Sequence, residues 1–169
     1  SLAAGAAAAA PAIVRAQAPA ISWRMTTSWP KSLDTLHGGA ELVARRVSEA
    51  TGGRFTMKVF AAGEIVGGLQ VLDAVEKGTV ECGHTTGYYY FGKDPTFAFS
   101  SSMPFGLNTR QQNSWFRHGG GMELMRELYR DHNCINIPGG NTGAQMGGWF
   151  RKEIKTVADL KGLKMRISA

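Results

Sequence analysis

The chain reads as an α/β protein built on a parallel sheet, and three features of its pattern say so. Strand-period and helix-period stretches alternate along it, glycines close the helical stretches, and the first strand, helix and second strand fit within about forty residues, the span of a βαβ unit. From Ile21 to Thr27, Ile21, Trp23 and Met25 alternate with Ser22, Arg24 and Thr26, which predicts a first strand. After Trp29-Pro30, Ser32 is placed to cap a helix in which Leu36, Ala40, Val43, Val47 and Ala50 recur at helical spacing before Gly52-Gly53. Phe55, Met57 and Val59 alternate with Thr56 and Lys58 as a second strand.

The pattern then repeats. Leu69, Leu72 and Val75 predict a helix that stops at Gly78, and a short strand follows over Val80 to Thr86. Helical stretches at Gln111 to His118 and Met122 to His132 flank the triple glycine 119 to 121, a break between two helices. Cys134 to Ile137 reads as a further strand, and Pro138-Gly139-Gly140 as a turn. An extended stretch from Ala144 to Arg151, a short helix through Val157 to Leu160 stopped by Gly162, and a last strand from Leu163 to Ala169 complete the pattern.

The chain has 169 residues, enough for one ordinary domain with a real core. It opens on Ser1 and closes on a strand pattern with no turn or helix after it, so both ends are expected to be cut. Ser1 to Ala12 is almost pure alanine, and Ala16-Gln17-Ala18 supplies a small-x-small step. Residues 1–18 therefore read as the remnant of a secretory signal, with a mild hydrophobicity that suits a twin-arginine-type leader. The apolar run stops at Pro11 or Arg15, short of the roughly 20 residues that cross a bilayer.

A net charge of +6 raises nucleic-acid binding as a function, but the distribution argues against it. Arg45-Arg46 and the run Arg151, Lys152, Lys155, Lys161, Lys164, Arg166, broken by Glu153 and Asp159, make no basic arm. Two cysteines, Cys82 and Cys134, are too few for a disulfide framework, and Cys82 sits in a strand pattern that predicts a buried thiol. Histidines 37, 84, 118 and 132 share no ligand spacing and no CxxC is present, which disfavours a zinc site.

Gly87-Tyr-Tyr-Tyr-Phe-Gly92-Lys93-Asp94 nearly matches a phosphate-binding GxxxxGK[ST] loop. Asp94 replaces the metal-binding hydroxyl, and bulky aromatics replace the small residues that let backbone amides wrap a phosphate. The same residues suit the carboxyl end of a parallel strand, where open α/β sheets place ligands, and Tyr88, Tyr89 and Tyr90 offer both hydroxyls and apolar faces for a pocket wall. Ordinary core packing explains any one of them equally well. In the last strand pattern Leu163, Met165 and Ile167 share one face, and Lys164, Arg166 and Ser168 the other. A strand-mounted arginine presents a rigid fork that fits a carboxylate in two charge-assisted hydrogen bonds, although composition alone makes Arg166 a solvated surface group.

The stretch GNTGAQMGGWFRKEIKTVADLKGLKMRI, from Gly140 to Ile167, closely resembles the DctP-type substrate-binding proteins of tripartite ATP-independent periplasmic (TRAP) transporters, and within them the keto-acid-binding branch. The earlier segments TTSWPKSLDTLHGGAELVARRVSEATGGRFTMKVFAAGEIVGGLQVLDAVEKGTVECGHTTGYYYFGKDP resemble the first lobe of that family, so the likeness spans nearly everything after the leader. It implies a two-lobed periplasmic binding protein of α/β type, type II-like, whose lobes close on a ligand. On that likeness residues 20–140 are the first lobe, and residues 141–169 are crossover strands and the start of the second, in a truncated chain.

The resemblance further implies an arginine in LKGxKMR that pairs with the substrate carboxylate, at Arg166, and a glutamine set against both substrate and a bound sodium ion, at Gln145. Tyr89 and Tyr90 stand on the first-lobe side of the site, with neither preferred. The implied function is capture in the periplasm of a small organic carboxylate, a 2-keto acid such as pyruvate, for the membrane subunits of a sodium-coupled transporter. A homodimer is implied for the full-length family member. The rival reading is an exported α/β hydrolase or lyase acting on a small acid. Such an enzyme needs a nucleophile elbow GxSxG or paired acid and base residues; Ser100 to Ser102 run into Met103-Pro104 with no elbow glycines, so a non-enzymatic binder is expected.

Overall fold

The computed structural model describes residues 20–165. Strand β1 (Ile21–Thr27) is the centre of a three-stranded sheet of order β2-β1-β3, flanked by β2 (Phe55–Phe60) and β3 (Cys82–His84). Both pairings are parallel, with Ile21 beside Phe55 at one end of the first and Thr27 beside His84 at the end of the second. The predicted βαβ order and the alternation of β2 hold. In β1 the apolar pattern is only partly used for burial: Trp23 is 38% exposed and packs edge-on against Phe55 at 4.9 Å, whereas Met25, Thr26 and Thr27 are buried. Only the carboxyl half of β1 is paired on both sides, which is why polar threonines are sealed there and apolar side chains left open at the other end.

Helix α1 (His37–Ala50) connects β1 to β2. Its buried stripe is His37, Ala40 and Ala44, rotated from the expected one, and Val43 is 46% exposed. Two alanines let the helix lie close to the sheet. The cap expected at Ser32 is not used: Leu36 is the N-cap without a side-chain bond, and turns in which Leu36 and His37 donate to the Leu33 carbonyl lead the chain into the helix. Helix α2 (Val71–Glu76) begins after a 3₁₀ turn, so Leu69 stays exposed, while Val71, Leu72 and Ala74 are buried. Gly78, at φ +68°, ends it as the sequence predicts.

The main apolar cluster lies beyond the sheet, where Leu72, Tyr90, Phe97, Phe116, Met125 and Tyr129 pack together. Phe97, fully buried on a 3₁₀ turn, meets the rings of Tyr90, Tyr129 and His132 at 5.7, 5.2 and 5.1 Å. Helices α3 (Thr109–His118) and α4 (Gly121–Arg130) close over it. A reciprocal Asn108–Gln111 capping box starts α3, and Gly120 at φ +78° makes the break that the triple glycine predicts.

The later part of the chain departs from expectation. Cys134 to Ile137 forms no strand: side-chain exposure alternates, with Ile135 and Ile137 each 80% exposed, but no ladder hydrogen bonds form. Ala144 to Arg151 joins no sheet either, nor do Leu163, Lys164 and Met165. The remainder of the predicted last strand, with Arg166, lies outside the described residues, as does the leader at residues 1–18. Val157–Leu160 forms a 3₁₀ turn inside a Thr156–Asp159 capping box, and Gly162 follows at φ +74°. Cys82 and Cys134 are free and half-buried, so the buried thiol expected at Cys82 is only partly enclosed. Burial and the Glu81 charge push its thiol up to about 11, which keeps it protonated and inert at neutral pH.

Candidate functional site: a crevice between the ends of β1 and β3

Leaving β1, the chain turns to one side to reach β2; β3 then lies on the other side of β1. The connections after β1 and β3 therefore diverge, and it is in the crevice outside the carboxyl ends of such strands that open α/β sheets place their ligands. Its floor is a chain of hydroxyls. Ser28 donates its backbone N–H to His84 O at 3.0 Å, and its Oγ lies 2.6 Å from both Gly68 O and Thr85 Oγ1. Thr85 Oγ1 is 2.8 Å from the Tyr90 hydroxyl, which also accepts the Leu72 N–H at 3.1 Å. A side chain at Gly68 would put its Cβ 2.8 Å from the Ser28 carbonyl, so only glycine admits this approach.

Aromatic rings make the wall. Trp29, nearly buried, donates its indole Nε1–H to His84 Nδ1 at 3.1 Å, with the two rings edge-on at 5.8 Å. Tyr89 stands 5.8 Å from Trp29 on one side and 4.8 Å from Tyr88 on the other. Behind the wall Thr27 Oγ1 donates to Trp29 O at 3.1 Å and lies 3.2 Å from Nδ1 of buried His37, whose Nε2 is 3.5 Å from Glu41 Oε1. Burial, and then the neighbouring His37, pull the pKa of His84 below its ordinary value, against an opposing pull from the Leu36 carbonyl. His84 is thus neutral near pH 7.

The structure separates the two tyrosines that the sequence leaves together. Tyr90 is 2% exposed, belongs to the apolar cluster and spends its hydroxyl on Leu72 and Thr85; burial raises its pKa although these bonds oppose the shift. Tyr89 is half-buried at the crevice. The later segment reaches the site at Gly139, where an added Cβ would stand 3.5 Å from His84 Nε2. It is tied to α3 by Thr109 Oγ1 donating to Asn141 Oδ1 at 2.8 Å. Gln145, four residues on, is exposed and makes no hydrogen bond to the crevice among the described residues.

Sequence reasoning missed Ser28, Trp29, His84 and Thr85. The signal was available, since all four lie at or just beyond the ends of β1 and β3. Two surface hollows, one between α1 and β2 around Glu41, Arg45 and Lys58 and one along α3 from Thr109 to His118, lie away from these strand ends. Among the described residues no three His, Cys, Asp or Glu side chains group to hold a metal ion, and no helix is long and apolar enough to cross a membrane.

Residues 25–169 match the model of the bacterial extracellular solute-binding proteins, family 7, the DctP family, and the chain belongs to that family. It is 64% identical over 154 residues to a monocarboxylate 2-oxoacid-binding periplasmic protein of Nostoc sp., a match covering 91% of this chain and 42% of that protein. A TRAP transporter solute-binding protein from Bordetella bronchiseptica, with copurified calcium and picolinate in its active site, superposes with a TM-score of 0.85 at 51% identity, covering 89% of this chain and 45% of that one. A TRAP periplasmic solute-binding protein from Pseudoalteromonas atlantica, with bound sodium and pyruvate, gives a TM-score of 0.83 at 43% identity, covering 88% and 45%. The chain thus spans less than half the length of these relatives, and it shares their mixed α/β fold.

Proposed function

We propose that this chain carries part of a periplasmic receptor that captures a small 2-oxoacid such as pyruvate for the membrane subunits of a TRAP transporter, and performs no chemistry on it. Residues 20–140 are assigned to the first lobe and 141–169 to the crossover and the start of the second. The observation that carries the reading is the set of hydroxyls and aromatic rings gathered at the ends of β1 and β3, whereas the ion pairs of the sheet, such as Arg24–Glu81, lie on exposed surface. Such a lining orients a small polar ligand but cannot neutralise it, and an unpaired buried carboxylate is costly.

Arg166 is assigned to supply that charge, each charge-assisted hydrogen bond contributing roughly 1.5–3 kcal/mol. A micromolar receptor needs about 8 kcal/mol in all, within reach of one bidentate fork plus burial of the ligand. Tyr89 closes the wall, and Tyr90 acts from behind by fixing Thr85. Gln145 offers a neutral amide oxygen, the donor type that sodium and calcium accept, and is assigned to a cation bound beside the ligand. That cation would offset part of the buried negative charge. Export to the periplasm through a twin-arginine-type leader and pairing into a homodimer belong to the same reading.

Thermal shift against a panel of small carboxylates, with sodium or potassium as the sole cation, tests it. A true ligand at a hundred times its dissociation constant stabilises the protein by about 2.7 kcal/mol. The expected result is a shift confined to 2-oxoacids and larger in sodium. No shift with any carboxylate from a folded protein rejects the reading, and turnover of any acid favours the hydrolase or lyase instead.

A further inference from the structure

The Trp29–His84 pair fixes more than packing. An indole N–H can only donate, so His84 Nδ1 must accept from it, and the proton of the neutral ring must sit on Nε2. Among the described residues Nε2 makes no well-aligned hydrogen bond, and it is not one of the fully buried side-chain atoms left without a partner, so it keeps some exposure. The Leu36 carbonyl acts on the ring as a weak acceptor and favours its protonated form. Gly139 faces this nitrogen. Its backbone is not in the left-handed region, so conformation does not demand glycine there; a Cβ would make ordinary contact 3.5 Å from Nε2 and occupy the approach to it.

We propose that His84 is a ligand-contact residue of the crevice, its Nε2–H held in place by the Trp29 indole and donated to an oxygen of the bound acid. The inference rests on the carboxylate reading above and deepens it. A neutral donor suits the task, because it orients the ligand without adding a second full charge to the one assigned to Arg166. If His84 were only a buried acceptor for Trp29, nothing would need to approach Nε2.

The test uses the protein as its source organism makes it, with pyruvate as the probe in sodium buffer. Nitrogen-15 spectra of the histidines are expected to place the His84 proton on Nε2 in the free protein and to move that signal on adding pyruvate. In calorimetric titration His84→Phe is expected to weaken binding about tenfold, as loss of one hydrogen bond does, while His84→Gln, which returns an N–H at similar reach, stays within about threefold of the parent. Trp29→Phe, which releases the tautomer, is expected to weaken binding by a few-fold. An Nε2 signal unmoved by saturating pyruvate overturns the proposal, whatever the folding of the variants. So does a folded His84→Phe protein that binds like the parent while Arg166→Ala does not, a result that leaves the carboxylate reading intact. A parent protein that binds no carboxylate removes both.

Discussion

The ends of β1 and β3 and the stretch from Cys134 to Met165 carry similar sequence signals yet fold in contrasting ways. At the strand ends, alternation is realised as a parallel ladder, and the polar side chains Thr27, Ser28, Thr85 and Tyr90 all find partners within the fold. In the later stretch alternation survives only as side-chain exposure: Asn136 and Cys134 turn inward, Ile135 and Ile137 outward, and no ladder forms. Period-two patterning specifies which faces a segment has. A strand also needs a neighbour that takes up its backbone groups, and Cys134 to Ile137 has none among the described residues.

The sharpest way to break this contrast is to remove an apolar side chain from each region. Phe97→Ala, which empties the fully buried centre of the ring cluster, is expected to cost about 3–5 kcal/mol in urea unfolding. Ile137→Ala is expected to change it by no more than about 0.5 kcal/mol. Equal effects would mean that the later stretch is packed in solution.

A smaller effect probes the hydroxyl chain. Tyr90→Phe keeps the ring in the cluster but strips the acceptor from the Leu72 N–H, and is expected to cost about 1–3 kcal/mol in the same assay. A neutral outcome would mean that Tyr90 is only an apolar filler. Asn108→Ala, which removes half of the α3 capping box, is expected to cost about 1 kcal/mol by thermal melting.

The smallest effect is electrostatic. The Arg24 side chain, bonded at 2.7 Å, holds the Glu81 carboxyl at about 2 against an ordinary 4.5. Because the folded value is the lower one, the stabilisation is fully present above about pH 4.5 and is lost as pH falls through about 2. Both side chains are solvent-exposed, so the change in stability is slight. A carbon-13 titration of the Glu81 carboxyl is the suitable measurement, and an ordinary midpoint would show that the pair does not persist in solution.

Much of the framework was legible because it depends on local rules. The limits of β1, the parallel order and the breaks at Gly78 and Gly120 follow from period and from glycine conformation. The start and buried face of α1 were not, because turns at Leu33 and the close fit of Ala40 and Ala44 on the sheet outweigh the cap at Ser32 and the larger Val43. Of the candidate site, the position of the tyrosines after β3 was readable. That Tyr90 turns into the core while Tyr89 stays at the crevice depends on Phe97 and Leu72, which no local pattern brings together. Trp29 and His84 escaped for the same reason, being 55 residues apart in sequence and adjacent only through the sheet.

The proposed capture of a carboxylate at these strand ends depends on Arg166 as its counter-charge. Calorimetric titration of pyruvate into the parent protein and into Arg166→Ala and Arg166→Lys tests it most directly. Saturable binding to the parent is expected, with loss of at least a hundredfold in Arg166→Ala, about 2.7 kcal/mol or more, and incomplete rescue by lysine, which cannot form the two-pronged pairing. Undiminished binding to a folded Arg166→Ala protein would contradict it.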